Sequence, residues 1–111
     1  MKAWAIKLSE GRWFQDGMND PVPGLWRTKR SAAAFMVGVG RVVRVSVSWG
    51  KELAQERGVY KAWGLQGQRG WLIYDWRNDV TPALYRTKRD AIAAAGVGLV
   101  PVRIGVRIEE L

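Results

Sequence analysis

Cysteine and histidine are both missing from these 111 residues. Without them there can be no disulfide, no thiolate chemistry, no zinc site of the usual Cys/His kind and no nucleophile activated by an imidazole. Acidic residues are also scarce. Ten Asp and Glu stand against 18 Lys and Arg, a formal net charge of +8 and a pI near 10.5. No apolar run is long enough for a bilayer span or a signal peptide, so the expectation is a cytoplasmic protein with no membrane partner. Proline occurs only at Pro21, Pro23, Pro82 and Pro101, and two of the four flank one turn.

What remains is the composition of a folded protein. Apolar residues make up 48% and charged residues 25%, which is ordinary for a globular domain and unlike a disordered chain. Seven Trp is a high count for this length. The basic excess creates a positive field that attracts polyanions, nucleic acid before anionic surfaces. A basic protein without such a partner is the plainer alternative, because net charge bears on association and not on fold.

The strongest pattern is internal. Arg27-Thr28-Lys29-Arg30 returns as Arg86-Thr87-Lys88-Arg89, an offset of 59, and carrying that offset outward aligns residues 2–49 with 61–108 without a gap. Of those 48 positions 18 are identical, among them Ala3/Ala62, Trp4/Trp63, Asp16/Asp75, Asp20/Asp79, Ala32/Ala91, Arg44/Arg103 and Val47/Val106. An ungapped match of this length points to a duplicated unit. Two copies are too few for a solenoid, and each half is too small to bury much surface alone. The expectation is one domain over 1–111, with repeats at 2–49 and 61–108 and a linker at 50–60, the two halves sharing one core about a pseudo-two-fold.

Each unit reads strand, strand, helix, strand. Trp4, Ile6 and Leu8 alternate with Ala3, Ala5 and Lys7, so the first strand is expected to turn Trp4, and by repetition Trp63, into the core. Residues 12–15 and 71–74 should return as hairpin arms. Turn-rich stretches follow at 16–24 and 75–83; their Asp, Asn and Pro residues suit turns, and the spacing is not that of a calcium loop. Leu25-Trp26-Arg27 and Leu84-Tyr85-Arg86 read as short extended leads into helices over about 29–37 and 88–95. Thr28 and Thr87 are placed as N-caps, and glycines at 38, 40, 96 and 98 as helix stops. The last strands set Val43, Val45 and Val47, then Val102, Ile104, Val106 and Ile108, against Arg44, Arg103 and Arg107 on the outer face. Pro101 belongs at a strand start or an edge, and residues 51–57 form a short connecting helix. The fold class expected is α+β: two tandem pseudo-symmetric ββαβ repeats, a mainly antiparallel sheet of about six strands, and two helices on one face.

The duplicated motif admits two uses. Lys29 and Arg30 stand in a helix first turn, where the macrodipole disfavours cations by a few tenths of a kcal/mol, yet both units keep them. An anion held by Arg27, Thr28, Lys29 and Arg30, or by Arg86, Thr87, Lys88 and Arg89, would reverse that sign. Alternatively Asp16, Asp20, Asp75 and Asp79 neutralise these cations within the chain. Arg41, Arg44, Arg103 and Arg107 extend the basic surface, and Trp26, Tyr85 and Trp76 offer rings for stacking on bases. The leading expectation is therefore a non-enzymatic nucleic-acid-binding protein that needs no cofactor and no metal. A protein-interaction module that pairs with a second copy or another protein through exposed aromatics or an edge strand is the second.

Two resemblances go with these motifs. The hairpin, the third short strand and the helix start Arg27-Thr28-Lys29-Arg30-Ser31-Ala32 resemble the arm-type DNA-binding domains of phage-type integrases, over about 2–37 and again 61–96. That resemblance implies duplex binding through a three-stranded sheet, although the strand after each helix has no place in that pattern. The unit with Trp4-Ala5-Ile6, Thr28-Lys29-Arg30 and Val42-Val43-Arg44-Val45 also resembles small uncharacterised phage and prophage proteins, which implies an accessory role without a defined activity.

Overall fold

A computed structural model of the chain describes residues 1–8, 11–14, 21–36, 40–71 and 80–111. It is an α+β protein built on a curled, antiparallel five-stranded sheet with two helices. The strands are β1 (Lys2–Leu8), β2 (Gly40–Gly50), β3 (Tyr60–Gly67), β4 (Gly70–Trp71) and β5 (Val100–Glu110), and the helices are α1 (Lys29–Phe35) and α2 (Lys88–Ala94). The order across the sheet is β1-β2-β5-β3-β4, which puts the two longest strands at its centre.

The ladders follow one rule. β1 pairs with β2 so that Lys2 faces Ser46, Ala3 faces Val45 and Trp4 faces Arg44. β3 pairs with β5 in the same register shifted by 59, with Lys61 facing Gly105, Ala62 facing Ile104 and Trp63 facing Arg103. Between these pairs β2 meets β5 from Val45↔Glu110 to Gly50↔Gly105, and Ser48 lies directly opposite its sequence counterpart Arg107. The extended leads into the helices add to β1 and β3. Trp26 exchanges two backbone hydrogen bonds of 2.8 Å with Trp4, and Tyr85 does the same with Trp63.

One sheet face and the segments folded over it make the main core. Ala3 and Ala5 from β1, Val43, Val45 and Val47 from β2, and Ile104 and Val106 from β5 pack with Val22, Leu25 and Val80. Valine suits these positions because a β-branched side chain fits a pleated, buried surface. The opposite face holds a smaller cluster under α1, formed by Ile6, Trp26 and Ala32 with Trp4, Leu8, Phe14 and Val42 against it. β1 is therefore covered on both sides, and the phase expected from its alternation is corrected. The alanines enter the main core, while the larger residues face the helix layer.

Local details differ from expectation where packing took over. The run 12–15 forms no strand among its described residues; it meets β1 through the Lys7↔Trp13 bridge and a Phe14 N–H donated to Ile6 O at 2.9 Å. Among the described residues the sheet has five strands where the sequence predicts about six. Helix α1 ends at Met36 and α2 at Ala95, both in extended conformation, so neither end uses a left-handed glycine, and Gly38 lies outside the described residues. Pro101 pairs with Leu65 as the second residue of β5, a strand start within the sheet. The linker contains a 3-10 turn, Glu52–Gln55. It lies so close to Gly105 that a Cβ there would sit 2.4 Å from Leu53 backbone atoms, which explains why glycine stands where the first unit has Ser46.

Candidate nucleic-acid interface

Each duplicated tetrapeptide starts a helix. Thr28 Oγ1 accepts the Ser31 N–H at 3.1 Å and donates to Ser31 Oγ at 2.9 Å; Thr87 Oγ1 accepts the Asp90 N–H at 3.1 Å. Both threonines are extended caps of the expected kind. Both hydroxyl oxygens accept a backbone N–H as caps, and the Thr28 hydroxyl also donates to Ser31 Oγ.

Capping also aims the next residue. The Lys29 ammonium lies over the Trp4 ring, 5.8 Å from its centroid, and the Lys88 ammonium lies over the Trp63 ring at 5.7 Å. From the neighbouring strand the Arg44 guanidinium stands 5.1 Å from the Trp4 ring, and Arg103 stands 5.3 Å from Trp63. This follows from register, since Trp4 is paired with Arg44 and Trp63 with Arg103. Each contact is worth about 0.5–1 kcal/mol at an exposed site. Neither Trp4 nor Trp63 is a buried core residue; each is a half-exposed platform holding two cations. Ring and guanidinium come from adjacent strands in different parts of the chain, so no local motif announces the contact.

Both platforms open on the same side of the sheet. Arg44, Ser46 and Ser48 alternate onto one face of β2; Ser48 is paired with Arg107, and Arg107, Gly105 and Arg103 continue that face along β5. Arg30, Arg44, Arg86, Lys88, Arg89 and Arg103 are exposed, as are Arg27 and Lys29. Among the described residues no ion pair joins Lys29, Arg30, Arg44, Arg86, Lys88, Arg89 or Arg103 to a carboxylate. Asp16, Asp20, Asp75 and Asp79, the expected internal counter-charges, lie outside the described residues, as does Trp76.

The remaining candidates separate from this group. Arg107 is bound to Glu56 and Arg41 to Glu110 at 3.3 Å, so neither belongs to the open cationic set. Trp26 is only 6% exposed, held between Phe14 and Phe35 with ring centroids at 6.4 and 5.5 Å. It cannot stack on a base, which corrects its place among the ligand-binding rings. Tyr85 is half-buried in its bridge to Trp63. Elsewhere a shallow cleft is lined by Leu8, Gly11, Arg12, Trp13 and Tyr60, and burial raises the pKa of the Tyr60 hydroxyl. Among the described residues no group of three acidic, histidine or cysteine side chains could hold a metal, and no helix is long and apolar enough to cross a membrane.

No family model, no curated protein and no solved structure matches this chain.

Proposed function

We propose that the chain is a non-enzymatic nucleic-acid-binding protein whose phosphate contacts come from two equivalent cation-on-tryptophan platforms, Lys29/Trp4/Arg44 and Lys88/Trp63/Arg103. The observation that carries this reading is that both platforms share one face, with the same residues in the same register and no carboxylate partner among the described residues. A guanidinium laid on an indole keeps its N–H groups free for an anion, and the ring limits its rotamers, so less entropy is lost on binding. Arg27, Arg30, Arg86 and Arg89 border the platforms and add to the positive field of a chain with net charge +8.

The same proposal takes the two platforms as products of a duplication closed about an internal two-fold. The equal registers of the β1·β2 and β3·β5 ladders, and the pairing of Ser48 with its counterpart Arg107, support it. A labelled-oligonucleotide anisotropy titration tests the function. Dissociation constants of about 1–100 µM near physiological salt, tightening sharply as salt is lowered, are expected. Absence of binding at low salt refutes the proposal.

A second reading has an observation of its own. Phe35, Met36, Ile92 and Val97 are all at least 40% exposed at or just beyond the helix C-terminal ends, a set of apolar side chains available to a protein partner. Concentration-dependent association seen by light scattering, with no affinity for nucleic acid, would favour it.

A further inference from the structure

Building on the nucleic-acid reading, we infer that the ligand is double-stranded, held through its two backbones with one platform to each strand, and that it is not bound as a single strand by base stacking.

The first observation concerns the rings. Proteins that bind single strands without sequence preference stack successive bases on aromatic faces. Here the rings that reach the cationic face are already covered: Trp4 by Lys29 and Arg44, and Trp63 by Lys88 and Arg103. Trp26 is buried, and Trp49 and Trp71 pack edge-to-face at 5.6 Å against the main core. Trp13 carries Lys7 over its ring at 5.7 Å. Among the described residues, the surface therefore offers clustered phosphate donors and few open π-faces. A duplex displays phosphates and hides its bases, and so matches that surface.

The second observation is symmetry. Arg44 and Arg103 lie four positions to either side of the Ser48–Arg107 pair, in opposite directions and on one face. At strand rise that offset separates them by roughly 26 Å, less than the pitch of one duplex turn, about 34 Å. The two strands of a duplex are antiparallel and related by dyads perpendicular to its axis. Two like platforms set about one centre can meet one strand each, whereas a single strand has no such dyad.

Competition between a labelled duplex and its own separated strand, at equal nucleotide concentration, tests this, with Arg44→Gln and Arg103→Gln run beside the wild type. Both arginines are exposed, so both variants should fold, and melting curves check that they do. The expected result is a duplex preference of about tenfold or more, with each substitution weakening duplex binding by a similar factor of about five to ten. Equal or tighter single-strand binding overturns the inference and leaves the nucleic-acid reading standing. A loss confined to one of the two variants overturns the two-strand arrangement. Binding to neither form removes this inference together with the function beneath it.

Discussion

At the scale of single residues, strand register decides what the chemistry can be. Trp4 and Trp63 look like core residues in the sequence, because large apolar side chains alternate with alanine and lysine. Periodicity gives the existence of two faces but not which is deeper, and β1 is covered on both. Ala3 and Ala5 are almost wholly buried against the valines of β2, where a small side chain lets the layers approach. Tryptophan on the other face is left half-open under two cations. The basic character of Arg44 and Arg103 was legible from strand alternation; their seats on indole rings were not, since each ring lies 40 residues away in sequence. A second residue-scale consequence concerns Gly105. Replacing it with alanine drives a Cβ into the Leu53 backbone, so Gly105→Ala should lower stability by about 1–3 kcal/mol in chemical denaturation, by shifting the 3-10 turn off the sheet. Ser46→Ala, at the equivalent place in the first unit, should be nearly neutral.

At the scale of elements, the helices are short and depend on their ends. Seven residues are too few for a helix stable on its own, so capping and packing must hold α1 and α2. Thr28→Ala and Thr87→Ala should each cost about 1 kcal/mol in thermal or denaturant unfolding. Thr→Ser, which retains the acceptor, should recover most of it. These caps were readable from Thr-Lys-Arg with Ser31 or Asp90 three positions on. The C-terminal ends were not, because each helix passes into extended backbone at Met36 or Ala95 and not into a left-handed glycine. A charged cluster also ties element ends together. Lys7 of β1 donates to Glu110 of β5 at 2.7 Å, and Arg41 of β2 approaches the same carboxylate. The Lys7 hydrogen bond has the largest effect on the Glu110 carboxyl and lowers its pKa; desolvation opposes it, and the charges of Lys7 and Arg41 add smaller downward effects. A carboxyl with a folded pKa below its unfolded value stabilises the fold above the unfolded pKa, and that contribution fades as pH falls through the folded one. Glu110→Gln should therefore lower Tm near neutrality and flatten the acid side of the Tm-against-pH curve. Parallel curves for the two proteins would contradict this.

At the scale of the whole molecule, the 59-residue offset carried the most information. It implied equivalent helices, equivalent strands and the paired Arg44 and Arg103; of these, the ladders set Trp4 opposite Arg44 and Trp63 opposite Arg103. It could not give strand order, because joining β2 to β5 at the centre of the sheet is a non-local choice made by apolar residues from the two halves of the chain, such as Val47 opposite Ile108. Nor could it say which cations stay open. Arg107 is lost to Glu56 and Arg41 to Glu110, through partners contributed by the linker and the final strand, which are the parts of the chain least constrained by the repeat. What remains is a surface whose affinity for a polyanion should come from phosphate contacts alone, and therefore from released counterions.

The slope of log affinity against log salt for duplex DNA, compared between the wild type and the Arg44→Gln/Arg103→Gln double variant, reports those contacts most directly. About six phosphate contacts give a wild-type slope of about −5.4, and loss of one contact at each platform should bring it to about −3.6 with both proteins equally folded. A flat wild-type slope, or a double variant with an unchanged one, would contradict phosphate binding at the two tryptophan platforms.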